Sequence, residues 1–114
     1  MSGKFRLKKG SNGQFHFNLE ASNGQVILAS EHYKSKDSAL NGIDSVRRNA
    51  ARSGAFEPLT AKDGRPYFVL KATNGQVIGQ GQMYASAASC NQGMESVRKH
   101  APEATLVDET LTTG

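Results

Sequence analysis

Side chains with chemistry to offer are few in this 114-residue chain. Its three histidines, His16, His32 and His100, stand far apart, whereas a metal site calls for Cys and His ligands at close, recurring spacing. No metal and no cofactor is therefore expected. The one cysteine, Cys90, falls on an apolar helical stripe and reads as a small buried hydrophobe, because a reactive thiolate needs exposure and positive neighbours. No phosphate-binding glycine loop, dinucleotide fingerprint, carboxylate pair or Ser/His/Asp set can be assembled. Catalysis is not the expected role, and the residues left to weigh are those that bind.

Two sets qualify. The first occurs twice, 51 residues apart: Tyr33 with Arg47, and Tyr84 with Arg98. If a pseudo-twofold axis gathers them around one central cleft, they form a site for an anionic ligand. The plainer reading is that each Arg ends a helix, where a cation is favourable against the helix dipole. The second set is a sheet surface or basic edge carrying Lys4, Arg6, Lys8, His16, Tyr67 and Lys71. Basic side chains beside aromatic ones suit nucleic acid, although RNA-binding sheets place more aromatics there and Glu20 opposes it. A solvated, lysine-rich edge strand that resists aggregation carries the same residues. The charge is uneven: residues 1–52 hold nine Lys/Arg against four Asp/Glu, a balance of +5, while residues 53–114 hold five against six, or −1. Exposed Ile27, Val69 and Ile78 on the same face would suit protein contact or self-association equally well.

What positions these residues is an internal repeat. The segment from Phe17 to Ile27 returns as Phe68 to Ile78, and Gly42-Ile43-Asp44-Ser45-Val46-Arg47 returns as Gly93-Met94-Glu95-Ser96-Val97-Arg98. None of the histidines recurs; their counterparts are Tyr67, Met83 and Asn49. Within each repeat Phe15, Phe17, Leu19 and Ala21 alternate with polar residues, as in a strand with one buried face. Asn23-Gly24 and Asn74-Gly75 then predict two-residue type I′ hairpins, pairing Ala21 with Val26 and Leu19 with Leu28. Ser35 is the expected N-cap of a helix whose stripe is Ala39, Ile43, Val46 and Ala50, matched in repeat two by Cys90, Met94, Val97 and Ala101. Ser53-Gly54 and Pro102 mark the helix ends. Gly42 and Gly93 lie mid-helix at a cost of about 1 kcal/mol relative to Ala, which implies close approach of a strand or another helix. Phe56 to Ala61 aligns both with the strand opening repeat two and with the strand closing repeat one, so one strand serves both. About seven strands and two helices result, an α+β domain with approximate repeats at 4–54 and 55–107 and a frayed tail at 108–114.

The doubled pattern Phe-x-Leu-x-Ala-x-Asn-Gly-x-Val-Ile, Tyr-x-Ser, Gly-(Ile/Met)-x-Ser-Val-Arg resembles the YegP-like family of small uncharacterised proteins, over residues 5–107. The resemblance implies tandem βββαβ units in a single, mainly antiparallel sheet, with two helices on one face and the last strand of each unit exchanged onto the other. It brings no activity and no site residues. Repeat two departs from the pattern where Gly79 and Gly81 replace Leu28 and Ser30, and where Asn91 replaces Leu40. No apolar run is long enough for a membrane span or signal peptide, and a single cysteine leaves no internal disulfide, so the cytoplasm is the expected compartment. A small binding or accessory module for an anionic ligand or nucleic acid is the expected function, with a protein-interaction module using the open sheet as the alternative. Fused repeats predict a monomer, with a homodimer the alternative.

Overall fold

The computed structural model describes residues 3–52 and 54–110. Within them lie β1 (Lys4–Lys9), β2 (Phe15–Glu20), β3 (Val26–Ala29), α1 (Lys36–Ala50), β4 (Phe56–Thr60), β5 (Pro66–Lys71), β6 (Val77–Gln80), α2 (Ala87–His100) and β7 (Thr105–Asp108). The strands form one sheet in the order β4-β5-β6-β3-β2-β1-β7, and every pairing but β1 with β7 is antiparallel. Both helices cover one face. The alternation built this face: Phe5, Leu7, Phe17, Leu19, Leu28, Phe68 and Leu70 are all buried against Ala39, Ile43, Val46, Cys90 and Val97. Each such Phe or Leu contributes about 1.5–3 kcal/mol by leaving water. Ser35 caps α1 by accepting from Ser38 N–H at 3.1 Å, and Ser86 caps α2 in a reciprocal capping box with Ser89.

The pseudo-twofold axis runs between β3 and β6, which meet at the pair Ala29 and Gln80. The exchange of closing strands is direct: β4, following α1 of repeat one, pairs with β5, and β7, following α2 of repeat two, pairs with β1. The basic strand β1 is therefore interior, and the sheet has no basic edge there. Asp108 and its neighbours are held: Asp108 ends β7 and pairs with Lys36 at 2.5 Å, and Glu109 N–H donates to Leu7 carbonyl at 2.9 Å. The rest of the expected tail, 111–114, and Ser53 at the helix end lie outside the described residues. Gly54 takes the left-handed conformation beyond α1 (φ +81°), while Pro102 sits in a single 3₁₀ turn, Ala101–Glu103, that continues α2.

The hairpin turns differ from expectation. Among the described residues none other than glycine has positive φ, so Asn23 and Asn74 do not form type I′ turns. Instead Gly24 N–H donates to Ala21 carbonyl, Ala21 N–H to Gln25 carbonyl, and Asn23 Oδ1 accepts from Gln25 N–H. This is the three-residue hairpin with one left-handed glycine, and it recurs at Gly75 and, beyond the two Asn-Gly turns read from the sequence, at Gly13 and Gly64. Leu19 still faces Leu28 as expected, but the bulge places Val26 opposite Glu20 rather than opposite Ala21.

Two more packing details depart from expectation. At Gly42 a Cβ would stand 2.5 Å from Tyr33 Oη, and at Gly93 it would run into the Tyr84 hydroxyl. The close approach is thus to a tyrosine ring from the loop before each helix, rather than to a strand or a second helix. Near the axis, a Cβ on Gly79 would stand 2.7 Å from the Leu28 side chain, so the seam has room for one leucine of the symmetric pair.

Candidate functional site

The Arg/Tyr set is not brought together. Arg47 lies over the Phe5 ring at 5.0 Å and Arg98 over the Phe56 ring at 5.2 Å, which places them on β1 and β4. Five strand steps separate those strands, about 24 Å at ~4.8 Å each. Tyr33 stacks on Phe17 at 6.2 Å and Tyr84 on Phe68 at 6.2 Å, each within its own repeat. Burial, seconded by the Glu31 charge, raises the Tyr33 phenol; burial, seconded by Cys90, raises Tyr84. The symmetry repeats this arrangement on both sides of the axis instead of focusing it there. Arg98 is further engaged by Glu95.

The sheet face opposite the helices is different. Its exposed-isoleucine reading fails: Ile27, Val69 and Ile78 are 6%, 5% and 7% exposed. All three lie on inner strands, and Ile27 and Ile78 belong to the buried core cluster. Two ion pairs cross this face in opposite senses, Arg6–Glu20 at 2.7 Å in repeat one and Glu57–Lys71 at 2.6 Å in repeat two. Arg6 also reaches Glu109 at 2.9 Å, and its pKa rises through these two carboxylates. Arg6 and Lys71 are therefore spent, and Lys4 stays exposed beside a small cleft of about 200 Å³ that Arg6 and Glu20 also line.

Beyond these pairs the register assembles a row of three basic side chains. Lys8 on β1 stands opposite His16 on β2, and the bridge between Phe15 and Tyr33 brings His32 to the other side of His16. The two imidazole rings are 5.3 Å apart. Among the described residues Lys8 makes no ion pair, and His16 Nδ1 is buried with no hydrogen-bond partner. Burial first, then the nearby His32 and Lys8, hold His16 below the usual imidazole range. Lys8 supplies the charge that can attract an anion to the row, while His16 is held toward its neutral form. Its symmetry mate in repeat two is Leu59, Tyr67 and Met83, an apolar row whose Met83 is 40% exposed. Sequence reading picked out Lys8, His16 and Tyr67. It missed His32, which joins only through the Phe15–Tyr33 bridge, and the signal for it was that neither His16 nor His32 recurs.

At its inner end the row opens onto a cavity of about 390 Å³ in the seam between β3 and β6, lined by Ala29, Ser30, Glu31, His32, Gln80 and Gln82. Gln82 Nε2 donates to Val26 carbonyl at 2.6 Å, and its side-chain oxygen accepts no hydrogen bond among the described residues. The remaining candidates are structural. Cys90 is 2% exposed and burial pushes its thiol up. His100 Nδ1 donates to Ser96 carbonyl at 2.8 Å, as Asn49 in the other repeat donates to Ser45 carbonyl at 2.8 Å.

Comparison with known proteins agrees with the doubled architecture. Residues 11–57 and 61–108 each match the Domain of unknown function DUF1508. The UPF0339 protein PA0329 of Pseudomonas aeruginosa is 60% identical over 110 residues, covering 96% of this chain and 100% of that protein. YegP of Yersinia pestis is 47% identical over 109 residues, covering 96% and 97%. Two solution NMR structures superpose closely: the Shewanella oneidensis UPF0339 protein (TM-score 0.91, 47% identity, 97% and 94% covered) and E. coli YegP, described as of unknown function (TM-score 0.92, 47% identity, 99% and 97% covered). Among the described residues no helix is long and apolar enough to cross a membrane. The chain, with its two DUF1508 repeats, belongs to the UPF0339 family, whose function is unknown.

Proposed function

We propose that the chain is a non-enzymatic binding module that takes a phosphate-bearing ligand on the open sheet face of repeat one. One observation carries this reading: Lys8, His16 and His32 form a row in which no member is neutralised by a carboxylate among the described residues. Phosphate oxygens are strong acceptors, and a row of N–H donors at strand spacing matches them. The overall charge of +4 adds long-range attraction. We read the module as non-enzymatic because its one thiol is buried and His100 is committed to a backbone carbonyl. We place it in the cytoplasm as a monomer, the fused repeats having already closed the pseudo-twofold.

Two-dimensional NMR titration with inorganic phosphate and with a single-stranded oligonucleotide tests the reading. Shifts should centre on Lys8, His16 and His32, weaken as salt rises, and vanish in Lys8→Ala. Shifts centred on Arg47 or Arg98 would sink it. The second reading is a protein-docking role for the apolar row, favoured by the exposure of Met83; Met83→Ser would then release a partner, with no dependence on salt.

A further inference from the structure

Resting on that reading, we infer that the ligand is a nucleotide, its phosphate on the Lys8–His16–His32 row and its base in the seam cavity beside Gln80. A bare anion would leave the cavity unused. At about 390 Å³ it lies at the small end of the ~300–1,000 Å³ typical of ligand sites. His32 belongs to both the row and the cavity wall, so the two are contiguous.

The lining chooses the class of guest. Gln80 is exposed into the cavity and its amide makes no side-chain hydrogen bond among the described residues, so it holds one donor and one acceptor side by side. That pair matches the adjacent N6 donor and N7 acceptor of adenine, the bidentate contact by which glutamine recognises this base. The unspent carbonyl of Gln82 adds an acceptor. Glu31 would repel an anion held in the cavity itself, yet a carboxylate there accepts well from sugar hydroxyls, the groups that join base to phosphate. Neither glutamine has its like in repeat one, where Ala29 and Glu31 take their places, so the internal symmetry of the fold does not demand them.

The same nucleotide chemistry can arrive free or within a single strand. Isothermal titration with AMP, adenosine, inorganic phosphate and hexa-adenylate RNA separates the possibilities. AMP should bind at least about tenfold tighter than phosphate, the worth of one good hydrogen bond. Gln80→Leu should abolish that advantage and leave phosphate binding unchanged, whereas Lys8→Ala should weaken both. Tighter and more salt-dependent binding of the RNA than of AMP would assign the strand as source, and equal binding the free nucleotide. If phosphate binds at the row but AMP gains nothing, the inference is overturned while the anion-binding reading stands. If neither binds, both fall.

Discussion

Replacing Gly42 by Ala sets two opposed effects against each other. Alanine in a helix interior is favoured over glycine by about 1 kcal/mol, so an unobstructed site would be stabilised. Here the new Cβ would lie 2.5 Å from Tyr33 Oη, 2.8 Å from its Cζ and 3.1 Å from Phe17 Cε2. The ring cannot simply swing away, because it is stacked on Phe17, itself edge-on to Phe5 at 5.8 Å. Overpacking of this kind costs about 1–3 kcal/mol, so the net expectation is a loss of up to about 2 kcal/mol. Urea unfolding followed by circular dichroism should show a lower midpoint at unchanged slope. The decisive comparison is in a Tyr33→Leu background, where the shortened side chain no longer reaches the helix. There Gly42→Ala should reverse sign and gain about 0.5–1 kcal/mol. A stabilising Gly42→Ala in the wild-type chain, or the same effect in both backgrounds, would refute the tyrosine account.

His16 has a folded pKa below its unfolded value, so between the two the unfolded chain binds the extra proton and stability falls as pH drops below about 6.5. His16→Tyr, which installs the residue of the other repeat, should flatten that part of the profile; an unchanged difference in urea midpoint between pH 7.5 and 5.5 would contradict this. At the outer edge of β4, Ala55 carbonyl accepts from Lys71 N–H, which turns Ala55, Glu57 and Leu59 toward β5 and the ring nitrogen of Pro58 outward. Pro58→Leu, matching Leu7 of the other repeat, should expose a new edge donor and produce concentration-dependent dimers by light scattering; a strict monomer would count against an edge-guarding role. Asp108→Asn, which removes the partner of Lys36, should speed amide exchange in β7 over Thr105–Asp108, and unaltered protection would show that the pair does not hold the strand.

Much of the architecture was legible because it rests on local periodicity. Alternation at Phe17 and Leu19, the stripe from Ala39 to Ala50 and the Ser35 cap each reflect one element satisfying its own geometry, and the repeat at 51 residues told that each would occur twice. The double use of the strand at Phe56 was legible in the alignment of that segment with both the opening and the closing strand, whereas the exchange of closing strands was implied by the family resemblance. The turn type was misread because Asn-Gly serves two hairpins; flanking Ala21 and Gln25, bonded to each other, chose the longer one. The central cleft was misread because symmetry doubles a feature without saying how far from the axis it lies.

Composition, periodicity and duplication in the chain alone thus determined a two-repeat α+β sheet with two capped helices, since those properties depend on neighbours a few residues apart. Tertiary structure alone decided that Arg47 and Arg98 sit over Phe5 and Phe56 on distant strands. It also decided that Lys8, His16 and His32 share a row, and that Gln80 faces a cavity at its end. Those relations are set by strand order and by a single bridge between β2 and the loop before α1, and each joins residues whose separation along the chain carries no information about their distance in space.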